Sequence, residues 1–265
     1  MSKTITNGRE YLEATLNHTL KQGDKIFVPY IMAGDGGLNQ LIPTLKGLSD
    51  AGASAIEVGI PFSDPVADGP TIQEAGKRAL SQGVSLQAVM ELLKTERHHI
   101  KAPIIFMTYI NPIFKYGIDK FIDDACVAGV DGLIIPDLPF EQQHLITNKL
   151  DDVGIAFIQL VSLTSSDERK QQLTQASQGF TYAITVNGIT GARKEHSQNL
   201  TTHFKQLKHS SNVPVLAGFG ISTPEHVKQM SEIADGVIVG SKIIELLQHN
   251  DYDLIKRLIK STQQK

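Results

Sequence analysis

Residues 53–70 read ASAIEVGIPFSDPVADGP, an apolar run that ends abruptly in a loop stiffened by Pro61, Pro65 and Pro70. Side chains alternate between faces in an extended strand, so Ala55, Glu57 and Gly59 share one face while Ser54, Ile56, Val58 and Ile60 share the other. The branched residues mark the face that packs on helices, which turns Glu57 the opposite way between two small neighbours. A helical pattern then opens near Thr71. Strand, loop and helix in that order form one βα unit.

Short apolar runs of the same kind recur along the chain. KIFVPYIM (25–32), ASAIEVGI (53–60), PIIFMTYI (103–110), DGLIIP (131–136), IAFIQLV (155–161), FTYAIT (180–185), VPVLAG (213–218) and DGVIVG (235–240) are the strand candidates. Between them lie stretches such as Leu38, Leu41, Ile42, Leu45, Leu48 and Leu145, Ile146, Leu150, Val153, spaced to bury one helical face. Eight such units of about 33 residues account for the 265 residues, and alternating strands and helices demand a parallel sheet. With no linker or shift in composition, the expected fold is an α/β (β/α)8 TIM barrel, one catalytic domain over 1–265. Two additions are expected: an N-terminal helix at about 7–22 and a doubled helical segment after strand 2, at about 71–99.

Composition narrows the function. There are 25 basic and 28 acidic residues, a net charge of −3, without the basic block that would track a nucleic acid. No apolar run reaches the roughly 18 residues needed to span a bilayer and the N-terminus lacks a signal-peptide core, so no membrane partner and a cytoplasmic location are expected. The single cysteine, Cys126, follows the helical pattern Ile118, Phe121, Ile122, Ala125 and reads as core. No HExxH motif or Cys/His cluster occurs, so no metal is expected. The GFG at 218–220 lacks the third glycine of a dinucleotide fingerprint, and GxxxxGK[ST] is absent.

The chemistry is expected at the strand ends. Glu57 points into the barrel, where a carboxyl is costly unless paired or employed, and its small neighbours leave room for a ligand. Asp68, 11 residues further on, lies on the following loop. Two carboxyls at one mouth, one desolvated and one at the rim, can hold different protonation states and divide acid and base roles. Asp64 reads as a turn residue. Glycines gather after the last three strands, in NGITGA (187–192), GFGIS (218–222) and VGSKI (239–243). They let backbone N–H groups close on a phosphate at a helix N-terminus, with Gly220, Gly240 and Ser241 at the recurrent barrel phosphate position.

IEVGIPFSDPVADGP (56–70), with FVPYIMAGD (27–35), MTYINPIFKYG (107–117), IPDLP (135–139), NGITGA and GFGIS, resembles the tryptophan synthase alpha chain family over nearly the whole sequence. The resemblance implies a barrel that cleaves indole-3-glycerol phosphate to indole and glyceraldehyde 3-phosphate. It implies Glu57 as general acid/base and Asp68 as the group that binds the indole N–H. It also implies a substrate pocket of Tyr30, Ile72, Tyr109, Tyr182, Thr190 and Phe219, with Gly191, Gly220, Gly240 and Ser241 around the phosphate. No cofactor is implied in this chain; pyridoxal phosphate belongs to a separate beta chain, with which an alpha2-beta2 heterotetramer is expected, docked through Pro65 and Asn111. Two departures stand out: Gly34-Asp35-Gly36 where the family has Gly-Asp-Pro, which would loosen the loop after strand 1, and Thr185 with Asn187 at the entrance to the loop after strand 6. The segment 186–198, with Gly188, Gly191 and the charged run Arg193, Lys194, Glu195, reads as a loop that closes over the phosphate.

Two rival readings remain open from the residues alone. One is another phosphate-binding barrel, a sugar-phosphate epimerase or isomerase; such epimerases use metal-binding histidines on their strands, and no strand candidate here contains histidine. The other is a non-catalytic stimulatory partner of the beta chain, which would have no use for a buried Glu57.

Overall fold

The computed structural model describes residues 7–184, 194–218 and 220–263, with the backbone alone for 194–199. Its strands are β1 (Ile26–Met32), β2 (Ile56–Gly59), β3 (Ile104–Met107), β4 (Gly132–Ile134), β5 (Ala156–Phe157), β6 (Gln159–Ser162), β7 (Thr181–Ile184), β8 (Val215–Gly218) and β9 (Gly236–Val239). All pair in parallel in the order β5-β4-β3-β2-β1-β9-β8-β7-β6. The ends of that order, β5 and β6, are separated in the chain by Ile158 alone, so the chain itself completes the ring of a (β/α)8 barrel.

One expected strand, 155–161, is therefore two. Ala156 and Phe157 pair with β4, and Gln159–Ser162 pair with β7. The change of partner falls where polar side chains replace the ladder: Gln159 N donates to Ser177 Oγ at 3.2 Å, and the buried Gln143 and Gln159 side chains exchange hydrogen bonds at 2.8 and 3.0 Å. The third strand is also shorter than expected, ending at Met107 instead of running to Ile110. Asp137 Oδ1 accepts a hydrogen bond from Ile110 N at 2.9 Å and so satisfies a backbone donor at a helix start that the sequence did not reveal.

The helices are α1 (Arg9–Lys21), α2 (Leu41–Asp50), α3 (Pro70–Ser81), α4 (Leu86–Glu96), α5 (Ile110–Tyr116), α6 (Ile118–Val127), α7 (Thr147–Val153), α8 (Asp167–Ala176), α9 (Lys194–Ser210), α10 (Pro224–Ile233), α11 (Ser241–Gln248) and α12 (Tyr252–Lys260). The expected N-terminal helix is α1, and the doubled segment is α3 with α4. Of the expected loop 186–198, residues 194–198 belong to α9, since Lys, Glu and Gln favour a helix once the glycines are passed. Residues 185–193, including Thr185 and Asn187, lie outside the described residues.

The apolar residues form two layers, bridged by Met107. Ile56, Val58 and Ile60 join the outer layer between sheet and helices, whereas Ala55 joins the barrel interior with Ile26, Val28, Ile105, Leu216 and Ile238. Cys126 packs against the outer layer, half-buried. Helix α1 plugs the N-terminal end of the barrel: Leu12 and Leu16, one turn apart, are fully buried among the interior residues. Each contributes about 1.5–3 kcal/mol by burial. Glycine at 179 admits the plug, because a Cβ there would stand 2.7 Å from a Leu12 methyl. The same end is tied by Asp131, fully buried, which accepts from Gly8 N (2.5 Å), Ile104 N (2.7 Å) and the Arg97 guanidinium (2.9 Å). Lys25 is held at this end too, donating to Ala234 O at 3.0 Å.

Candidate active site

The C-terminal mouth begins with the pairing of β1 and β2, which sets Tyr30 beside Glu57 on the inward face. Glu57 is 1% exposed, and its Oε2 finds no hydrogen-bond partner among the described residues. Burial, reinforced by the negative charge of Asp68, pushes the Glu57 carboxyl up to about 8, so it is protonated at neutral pH. The inward direction read from alternation is therefore observed. The room beside it is partly filled, however: a Cβ on Gly59 would lie 1.9 Å from the Tyr30 hydroxyl, so this glycine accommodates Tyr30 itself. The arrangement repeats across the barrel, where a Cβ on Gly218 would lie 2.2 Å from the Tyr182 ring. Burial holds both phenols well above their ordinary range, with Asp68 and Glu57 adding to the effect.

The loop after β2 is fastened by Tyr109, which lies between β3 and α5. Its hydroxyl accepts from Ala67 N at 3.0 Å, and its ring leans on Phe62 with centroids 5.3 Å apart. Asp68 is half-buried; burial raises its carboxyl to about 6, while the neighbouring Tyr109 hydroxyl favours the ionised form. At neutral pH the mouth thus presents one protonated and one ionised carboxyl. Asp68 does not cap α3, whose N-cap, Gly69, uses no side chain. Asp64 is exposed, accepts from its neighbour Ser63 at 2.5 Å, and stays a turn residue.

Other expected pocket residues converge on the same rim. The Cβ position of Gly240 lies 3.5 Å from Ile72 Cδ1 and 3.7 Å from Tyr30 Cβ, which joins α3, β1 and the end of β9. Gly240 is the N-cap of α11 and Ser241 its first residue, and no side chain among the described residues caps the backbone donors there. Gly220 follows β8 with φ +72°, a conformation that suits glycine. Thr190, Gly191 and Phe219 lie outside the described residues. Among the described residues, no three His, Cys, Asp or Glu side chains gather as a metal site.

A family model described as "Tryptophan synthase alpha chain" matches residues 16–265. The chain belongs to the tryptophan synthase alpha chain family. A tryptophan synthase alpha chain from Bacillus cereus is 50% identical over 245 residues, covering 92% of this chain and 95% of that protein. One from Oceanobacillus iheyensis is 47% identical over 255 residues, covering 96% and 97%. Among solved structures, a Mycobacterium tuberculosis tryptophan synthase superposes with TM-score 0.88 at 30% identity, covering 98% of this chain and 100% of that one. The alpha subunit of tryptophan synthase from Legionella pneumophila gives 0.86 at 33%, covering 95% and 98%.

Within this family, the Gly34-Asp35-Gly36 departure has a structural counterpart. Gly36 adopts φ +86°, which a proline ring forbids. The loop that carries this departure is tied to α3, where Arg78 donates a forked pair of hydrogen bonds to Asp35 at 2.7 and 2.8 Å. Sequence reasoning missed this tie, and it missed Asp131. The signals were an arginine on the half-exposed side of α3 and an aspartate opening a strand, neither distinctive alone.

Proposed function

We propose that the chain cleaves indole-3-glycerol phosphate to indole and glyceraldehyde 3-phosphate in tryptophan biosynthesis, with Glu57 as general acid and base and Asp68 as the countercharge. The protonated Glu57 carboxyl gives its proton to indole C3, and positive charge develops at the ring nitrogen. Asp68, ionised, accepts the hydrogen bond from that N–H and offsets the charge. The Glu57 carboxylate then takes the proton of the hydroxyl on the adjoining glycerol carbon as the bond from that carbon to C3 breaks. The electron pair returns to the ring, indole regains aromaticity, and the aldehyde departs. Every proton moves through one carboxyl, and no cofactor in this chain is required.

The buried, protonated Glu57 facing an ionised Asp68 carries this reading. Tyr30, Ile72, Tyr109 and Tyr182 line the substrate pocket, and Gly220, Gly240 and Ser241 receive the phosphate. The product indole passes to a beta chain docked on the rim, in an alpha2-beta2 assembly where pyridoxal phosphate would reside in the partner. Apolar side chains left open on both expected docking segments, Val66 at 81% exposure and Phe114 at 48%, support that placement beside Pro65 and Asn111.

Glu57→Gln preserves shape and removes the proton. Indole release should fall by about 10²-fold to 10⁴-fold with folding retained. Turnover near the wild-type rate would remove Glu57 from the reaction.

A further inference from the structure

Glu57 and Gly59 occupy successive inward positions on β2, about 7 Å apart along the strand. Tyr30 pairs with the lower of these and its hydroxyl sits against the upper. The hydroxyl therefore stands one strand step beyond the backbone position of Glu57, toward the loop that carries Asp68. Tyr30 is 3% exposed and Glu57 1% exposed. Among the described residues, the ionisable groups acting on Tyr30 are Asp68, Glu57, Tyr109 and Tyr182, none of them a cation. Glu57 Oε2, without a partner among the described residues, is carried on three rotatable bonds, and a buried carboxyl costs most when its proton has no acceptor.

We propose that Tyr30 is a positioning residue for the carboxyl pair, its hydroxyl accepting a hydrogen bond from the Glu57 carboxyl and donating one to the Asp68 carboxylate. A hydroxyl offers one donor and two acceptor positions, so it meets both needs at once. It favours the proton on Glu57 and its absence on Asp68, and so widens the pH interval in which the two carboxyls hold opposite states. Phenylalanine in this place would fill the same volume without doing either. The assignment rests on the proposed roles of Glu57 and Asp68 and adds a group that sets their states.

Tyr30→Phe tests it, since only one oxygen is removed. The pH profile of kcat/KM for indole release should narrow from both sides, each limb moving inward by about 0.5 to 1 pH unit, the worth of one hydrogen bond. The same variant should be titrated without substrate by carboxyl-carbon NMR on glutamate- and aspartate-labelled protein, with Glu57→Gln and Asp68→Asn assigning the signals. There the Glu57 midpoint should fall and the Asp68 midpoint rise. Unmoved limbs together with unmoved NMR midpoints overturn the proposal. If Glu57→Gln stays active, the catalytic reading fails, and the substrate-free titration still decides whether Tyr30 sets the two carboxyls.

Discussion

The Glu57 carboxyl is a stability liability as well as a reactive group, and the liability is measurable. In the unfolded chain it loses its proton near 4.5, whereas in the barrel it keeps it to about 8. Between those values folding takes up a proton, so stability falls as pH rises through this window and levels off only above about 8. At about 1.36 kcal/mol per pH unit, the full cost is about 5 kcal/mol, of which about 3.5 kcal/mol develops between pH 5 and 8. Glu57→Gln cannot titrate. The stability of the variant minus that of wild type should therefore grow by about 3.5 kcal/mol from pH 5 to pH 8, titrating groups that do not interact with Glu57 cancelling in the difference. Urea denaturation of both proteins at several pH values measures it. A stability difference that stays constant across this range would mean that Glu57 is ionised in the folded barrel, and the general-acid role would lose its basis.

Two further outcomes follow from the same geometry. Asp68→Asn still accepts a hydrogen bond but cannot offset charge on the indole ring, so kcat should fall more than KM rises; a change confined to KM would refute the electrostatic role. Asp131→Ala removes the counter-charge of Arg97, which keeps its bonds to Gly129 O and Ile100 O, and strands two backbone donors at the opposite end of the barrel, so urea denaturation should show a loss of about 3–5 kcal/mol while kcat of the folded fraction is unchanged; a loss below about 1 kcal/mol would show that the network is dispensable.

The barrel was legible because its signals are periodic. Eight apolar runs alternating with helical stretches announced the parallel sheet, and the alternation in ASAIEVGI sent Ile56 and Val58 to the helices and Ala55, on the face of Glu57, to the interior, as the two packing layers show. What escaped were events that occur once. The change of pairing partner at Ile158 lies within a continuous apolar run, and periodicity has no symbol for a strand that pairs with different neighbours along its length. The helix at Ile110 was hidden because TYI reads as a good strand ending; its backbone donor is satisfied by Asp137, 27 residues away.

The same distinction governs the site. A buried carboxyl can be inferred from one strand, because its cost follows from its own position and neighbours. Its protonation state needs a second strand and a loop: the Asp68 charge that helps to hold the proton on Glu57 arrives from the rim, and Tyr109, after β3, fastens the loop that brings it. The void at Gly59 invites the inference of an open space for ligand, since the residue that fills it belongs to β1, 29 positions earlier in the chain. Small residues on an inward strand face thus indicate that something large stands there without indicating whose it is. Here it is Tyr30, whose hydroxyl stands at the level of Gly59, one strand step beyond Glu57 and toward the loop that carries Asp68.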